Sequence, residues 1–473
     1  MKIKLDSWTN GVALDWCISR QRYFGVPFPV WYLLECENYD ENRGSGTYIG
    51  RKIEVAHPDD LPVNPLVDLP RGYELIKKNG AGDFFAKEIA TGKIFGIKGD
   101  KDVMDTWATS SVSPQLSSHG INGELGAGNE LIDNERHKKL FPADLRPQAH
   151  EIIRTWAFYT IVKAYLHENT IPWKDLMISG WCLAEDKTKM SKSKGNVVTP
   201  VTMIEEKGSD VVRYWASTSR LGSDTAYSED VLKVGKKLIN KLWNATKFAS
   251  IQMEGIAFPT QTANELVADG IITESLDKWV ISRLNKTIKK ATQEFDKYEY
   301  CIARMAIEDF FWNDFCDNYL ELAKTRAYGE GDITAEASNS AKYTLYYCID
   351  AILKLFAPFT PHICDTLYSH IFEEDFAENK SVNARGMWCH AENYPVDEEA
   401  EQAGILCVEV LEEIRKAKSE AAVSIKYPVE KLILPEDKKS LLMPVLDDLK
   451  NAGSVESIEW GGFLEIELKE VAE

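Results

Sequence analysis

Apolar and polar positions change their period several times along the chain. Residues 1–35 are dense in aromatics and prolines: Trp8, Trp16, Tyr23, Phe24, Phe28, Trp31 and Tyr32 lie close together, and Pro27 and Pro29 mark bends before a strand. This is the pattern of a domain interior. Between 36 and 100, Gly, Pro, Asn and Asp punctuate short apolar pieces such as YELI and KIFGI, which predicts a small insertion of short strands and loops. From 101 to 225 strands and helices alternate. PADLRP (142–147) reads as a strand end. AHEIIRTWAFYTIVKAYL (149–166) is apolar on nearly all sides, which predicts a buried helix. DLMISGWCLA (175–184) predicts a buried strand, DKTKMSKSKGN (186–196) a polar loop, and Pro200 opens further helices. Such alternation predicts a parallel, doubly wound sheet. From 226 to 430 the pattern is helical, with Leu238, Leu242, Ala245 and Ala249 on one face and breaks at Pro358 and Pro361. The tail, 431–473, reads as strand, helix, strand, strand. The expected class is α/β plus all-α.

Composition narrows the picture. A chain of 473 residues has room for about three domains. A net charge of −19 argues against a nonspecific DNA coat or an anionic membrane surface as partner, and still allows a local basic face. No apolar run reaches the roughly 18 residues of a membrane span. The opening MKIKLDSWTN lacks the apolar stretch of a secretory signal. The nine cysteines sit apart and form no CxxC pair, so a disulfide scaffold and a four-ligand zinc ribbon both lack support. Reduced thiols in a cytoplasmic protein are expected.

The sharpest chemical signal is Lys189-Met190-Ser191-Lys192-Ser193-Lys194-Gly195-Asn196. Three lysines and two serines alternate beside a glycine, just after a predicted strand. A cationic loop at the C-terminal edge of a parallel sheet lies where such folds bind ligands. Lysine ammonium groups on flexible stems suit a phosphate chain whose charge grows as it leaves.

The run KMSKSKGN resembles the KMSKS signature of class I aminoacyl-tRNA synthetases. Most of residues 7–400 is similar to the valyl, archaeal-type branch of that family. The resemblance is carried by DWCISRQRYFGVPFPVWY (15–32), DVMDTWATSS (102–111), LRPQAHEIIRTWAFYTI (145–161), KMSKSKGNVVTP (189–200), GSDVVRYWAST (208–218), WVISRLNKTI and FFWNDFCDNYLELAK. It implies a Rossmann-like catalytic half followed by a helical stem and an anticodon-binding bundle. It also implies ATP-dependent activation of valine and transfer to tRNA-Val, with ATP entering as its Mg2+ complex. By the family pattern Lys192 contacts ATP, supported by Lys189 and by Met190, Ser191 and Ser193 of the loop. Ile152 and Trp156, four residues apart, line the amino-acid pocket, with Trp107 as a further wall. Such a pocket excludes isoleucine by overlap but rejects threonine poorly. Isoleucyl-type enzymes usually carry a glutamine after the position of His150 and a DxWFDSG run; Glu151 and DTWATSS favour valine.

His150 reads as a core or capping histidine. Asp102 and Asp105 receive no catalytic role, and for Arg20 bracing and nucleic-acid contact both stay open. Two basic tracks, Lys233, Lys236, Lys237, Lys241 and Lys247, then Lys278, Arg283, Lys286, Lys289 and Lys290, could follow phosphates or simply be solvated. The family's His-x-Gly-His signature and editing insert have no counterpart here. The chain is therefore expected to be a C-terminal portion, inactive alone, with a separate N-terminal half as a further partner. A noncatalytic tRNA-binding remnant is the main alternative, and an isoleucyl-type ligase another. Only Cys36 and His57 stand in 36–100 as metal ligands, so no zinc is predicted.

Overall fold

In this computed structural model, residues 2–11, 16–120, 133–329, 332–372, 381–384 and 386–469 are described. The resembling segment 15–32 thus begins with Asp15, which lies outside them. The chain divides into two units, 1–181 and 182–473, so the expected 101–225 segment is shared between them.

In the first unit, β1 (Ser19–Arg20) precedes five antiparallel strands: β2 (Val30–Asp40), β3 (Ser45–Val55), β4 (Tyr73–Gly80), β5 (Asp83–Glu88) and β6 (Ile94–Gly99). They pair in the order β3-β2-β6-β5-β4. Alternate residues of β2, Trp31 and Leu33, meet Phe84, Ala86, Phe95 and Ile97 in a core of their own. Two of these strands run 11 residues, longer than the punctuated sequence suggests, and β2 passes through the expected boundary at 35 and 36. β7 (Val103–Met104) then returns to pair antiparallel with β1. Further on, β8 (Ala143–Ala149) and β9 (Trp173–Ser179) pair in parallel, joined by a helical crossover as parallel strands require.

That crossover departs from expectation. Its coil opens as a 3₁₀ turn at His150–Ile152, widens to a π turn over Ile153–Ala157 and becomes α-helical only over Phe158–Glu168. It is also not buried all round, because Val162, Tyr165 and Leu166 are exposed. Apolarity on every face shows what a helix could bury, not what covers it. The predicted buried strand is likewise mostly half-exposed, with only Trp173 of β9 buried.

In the second unit, β10 (Cys182–Leu183) pairs in parallel with β11 (Thr225–Ala226), and the polar loop lies between them in sequence. Long helices follow, notably Glu229–Gln252, Ser275–Asp296, Ala335–Phe356 and Glu398–Glu420. Their apolar faces merge into one large core around Trp279, Phe311, Phe315, Tyr319 and Phe356. The tail gives β12 (Val429–Pro435), short helices, β13 (Val455–Gly461) and β14 (Glu465–Leu468), in the order read from the sequence. Its strands lie in the order β13-β12-β14, parallel then antiparallel. Among the described residues no helix is long and apolar enough to cross a membrane.

Candidate functional site

The cationic loop has a defined local shape. A bridge between Leu183 and Lys189 and a hydrogen bond from Ala184 N to Thr188 O close its base. Asp186 accepts from both the N–H and the hydroxyl of Thr188, and these bonds hold its carboxyl below the usual range. Ser191 caps the 3₁₀ turn Lys192–Lys194, its hydroxyl accepting from Lys194 N at 3.3 Å and lying 3.2 Å from that of Ser193. Gly195 ends the turn at φ 68°, a conformation that glycine adopts without strain. Asn196 ties the two ends together, accepting from Ser191 N at 2.9 Å and donating to Thr188 Oγ1 at 3.1 Å. Lys192 stands exposed on the turn, and among the described residues it forms no ion pair. Lys189 is exposed as well, while Met190 and Ser191 are half-buried.

The three predicted pocket residues of the first unit are brought into one cluster. Trp107 and Ile152 are partly buried beside Trp156, Ala157 and Trp173. Trp156 itself is only 5% exposed. It stacks on Trp173 with ring centroids 5.5 Å apart, and the Arg146 guanidinium lies 4.0 Å from its ring centre. Its indole N–H donates to Ser110 O at 3.0 Å. Trp156 is therefore a core indole of the cluster, against which the less buried Trp107 and Ile152 pack. Trp156→Ala is expected to cost about 3–5 kcal/mol through the cavity it leaves. A urea titration of the chain checks this; a loss below about 1 kcal/mol would place the ring outside the core.

His150 is tied to the end of β9: its Nδ1 lies 3.3 Å from Ser179 O, and its ring is 4.9 Å from that of Trp181. Sequence reasoning left bracing as one of two open readings of Arg20 and gave Ser19 and Gln21 no role of their own. Gln21 Nε2 donates to Asp102 at 2.6 Å, the Ser19 hydroxyl donates to the same carboxylate, and Arg20 pairs with Asp105 at 3.0 Å. Arg20 is thus a brace. The signal was there, in two carboxylates three residues apart and three polar side chains in a row. Among the described residues no three His, Cys, Asp or Glu side chains come together as a metal ion would need.

Residues 2–228 match the model for class I tRNA synthetases of the isoleucine, leucine, methionine and valine group, and 277–433 match that for the anticodon-binding domain of tRNA ligases. The valine–tRNA ligase of Rickettsia felis is 48% identical over 97% of this chain and 48% of its own length. The chain belongs to the valine–tRNA ligase family of class I synthetases. The valine–tRNA ligase of a Wolbachia from Brugia malayi is 45% identical over 97% of the chain and 48% of its own length. The chain thus spans about half the length of the curated relatives it matches, and within this synthetase family it resembles the C-terminal portion. A solved structure, the Agrobacterium radiobacter K84 agnB2 LeuRS–tRNA–LeuAMS ternary complex, superposes with a TM-score of 0.51. It covers 99% of this chain and 55% of its own at 16% identity, a likeness of fold alone.

Proposed function

We propose that this chain contributes the KMSKS loop, the valine-pocket residues and the anticodon-binding bundle to a valine–tRNA ligase. The observation that carries the reading is identity of 45–48% to valine–tRNA ligases across 97% of the chain. In the reaction a carboxylate oxygen of valine attacks the α-phosphorus of ATP, the α–β bridging P–O bond breaks, and pyrophosphate leaves. A terminal ribose hydroxyl of tRNA then attacks the valyl carbonyl and AMP leaves. ATP enters as its Mg2+ complex, which is substrate. Positioning and charge stabilisation dominate such a transfer. Lys192, on a turn held by Ser191, Gly195 and Asn196, meets charge growing on the departing pyrophosphate, and Lys189 supports it. Trp107 and Ile152, backed by Trp156, hold the isopropyl group. Glu151 and the DTWATSS run favour valine over isoleucine.

For tRNA, the helix Glu229–Gln252 is the better of the two basic tracks. Lys233 and Lys241 pair there with Asp230 and Asp317, but the helix has no acidic residue after Asp230, and Lys236, Lys237, Lys247 and the indole of Trp243 are exposed. In the second track Arg283, Lys286 and Lys290 pair with Asp314, Glu401 and Glu294. Nine unpaired cysteines fit a reducing cytoplasm.

A separate N-terminal half is proposed as the partner of the first unit. Tyr23 and Phe24 are 93% and 84% exposed, packed edge to face with centroids 4.9 Å apart, and Val26 beside them is exposed too. Aromatic surface of this kind marks an interaction site. The chain alone is expected to show no valine-dependent ATP–pyrophosphate exchange. Mixing it with a separately made N-terminal half of a valine–tRNA ligase should restore exchange. Retained tRNA binding without any restored exchange would instead support a noncatalytic tRNA-binding module.

A further inference from the structure

We propose that Arg20 is a positioning residue for valine recognition, acting through Asp105 on the indoles of Trp107 and Trp156. The inference rests on the valine-pocket reading above. Arg20 is itself held as a fixed fork: its Nη1 donates to Cys17 O and Ser19 O, both at 2.7 Å, and its Nη2 reaches Asp105 Oδ2 at 3.0 Å. Asp105 is 5% exposed, and its other oxygen accepts from Trp107 N at 2.9 Å, capping the short helix Thr106–Ser110. Its own N–H donates to Ile18 O at 2.7 Å. One carboxylate therefore joins the Arg20 strand to the start of the helix that carries Trp107.

The far end of that helix holds the second indole, since Ser110 O accepts the Trp156 N–H. Lys163 donates to Ala108 O between them. Trp107 is thus carried by, and Trp156 hydrogen-bonded to, a five-residue helix whose first turn is fixed by Asp105. A helix this short is not stable by itself, so its placement comes from its anchors. Without Arg20 the buried carboxylate loses its counter-charge, and no other cation pairs with it among the described residues. The Tyr159 hydroxyl is also buried; burial first, and the Asp105 charge second, push it up to about 12, so it stays neutral and cannot replace the guanidinium. Ser19 and Gln21 hold Asp102 in the same clamp, and among the described side chains only Arg20 pairs with Asp105.

The test has two readouts. In the chain reconstituted with an N-terminal half, Arg20→Ala is expected to raise the KM for valine about tenfold or more in ATP–pyrophosphate exchange. It should also narrow discrimination against isoleucine, with kcat at saturating valine changed less than about threefold. Arg20→Lys, which keeps the charge but not the fork, should recover part of the loss. In the chain alone, labelled with 5-fluorotryptophan, the 19F resonances of Trp107 and Trp156, assigned with Trp107→Phe and Trp156→Phe, should both move in Arg20→Ala and return towards wild type in Arg20→Lys. Should Arg20→Ala fail to fold, Asp105→Asn, which keeps a cap acceptor and removes the ion pair, carries both measurements. An unchanged KM, or indole resonances that stay in place, would overturn the proposal. If the wild-type pair shows no exchange, the valine reading fails, and the resonances still decide whether Arg20 holds the indoles.

Discussion

Lys192→Ala in the reconstituted enzyme is expected to lower valine-dependent ATP–pyrophosphate exchange about a hundred- to a thousandfold, with valine affinity changed less than about twofold. The reason is local. Ser191, Gly195 and Asn196 fix the backbone of the turn, and nothing among the described residues neutralises the ammonium that it presents. A cation placed where charge develops lowers the barrier without helping the ground state equally. Lys194 sits on the same turn and is exposed too, so Lys194→Ala is the matched control. Equal losses in the two variants would show that general charge, rather than Lys192, is what matters. Unchanged exchange in Lys192→Ala would remove its assigned role altogether.

The loop was legible in sequence because its determinants are local: a serine that caps, a glycine at positive φ and an asparagine that closes the turn all lie within 191–196. The indole cluster was legible only through resemblance. Spacing places Ile152 and Trp156 near each other, but nothing local says that Arg146 and Trp173 enclose the second ring. Those neighbours arrive through the parallel pairing of β8 with β9, a long-range event. The π turn at Ile153–Ala157 was invisible for the same reason, since pitch changes of this kind follow packing and function rather than propensity. The bracing of Arg20 depends on β1 meeting β7, two residues against two, which no periodicity announces. The bundle was the easiest part, because helical repeats of apolar residues encode both the element and its buried face.

A stability effect as large as that of Trp156→Ala is expected in that bundle. Arg326→Ala is expected to destabilise the second unit by about 3–5 kcal/mol in urea or thermal unfolding. Arg326 is buried and joins three helices: its guanidinium donates to Asp277 at 2.8 and 2.9 Å and to Asp448 at 2.9 and 3.0 Å. Burial opposes its charge, but the two aspartates outweigh that and keep it protonated. When the arginine is removed, Asp277 still accepts from Tyr319 at 2.8 Å and Ser340 at 2.6 Å, whereas Asp448 loses its cation. Asp448 should then bear most of the cost. Burial already pushes its carboxyl up to about 6 from 3.8, against the pull of Arg326. A carboxyl raised on folding favours the fold below its unfolded value and loses that contribution as pH rises through the folded one. Loss of Arg326 raises it further, so the variant should lag wild type less at about pH 5 than at about pH 8. Adding Asp448→Asn to Arg326→Ala should recover stability at the higher pH and little at the lower. A deficit independent of pH would mean that lost packing of the arginine stem, not the stranded carboxylate, sets the cost.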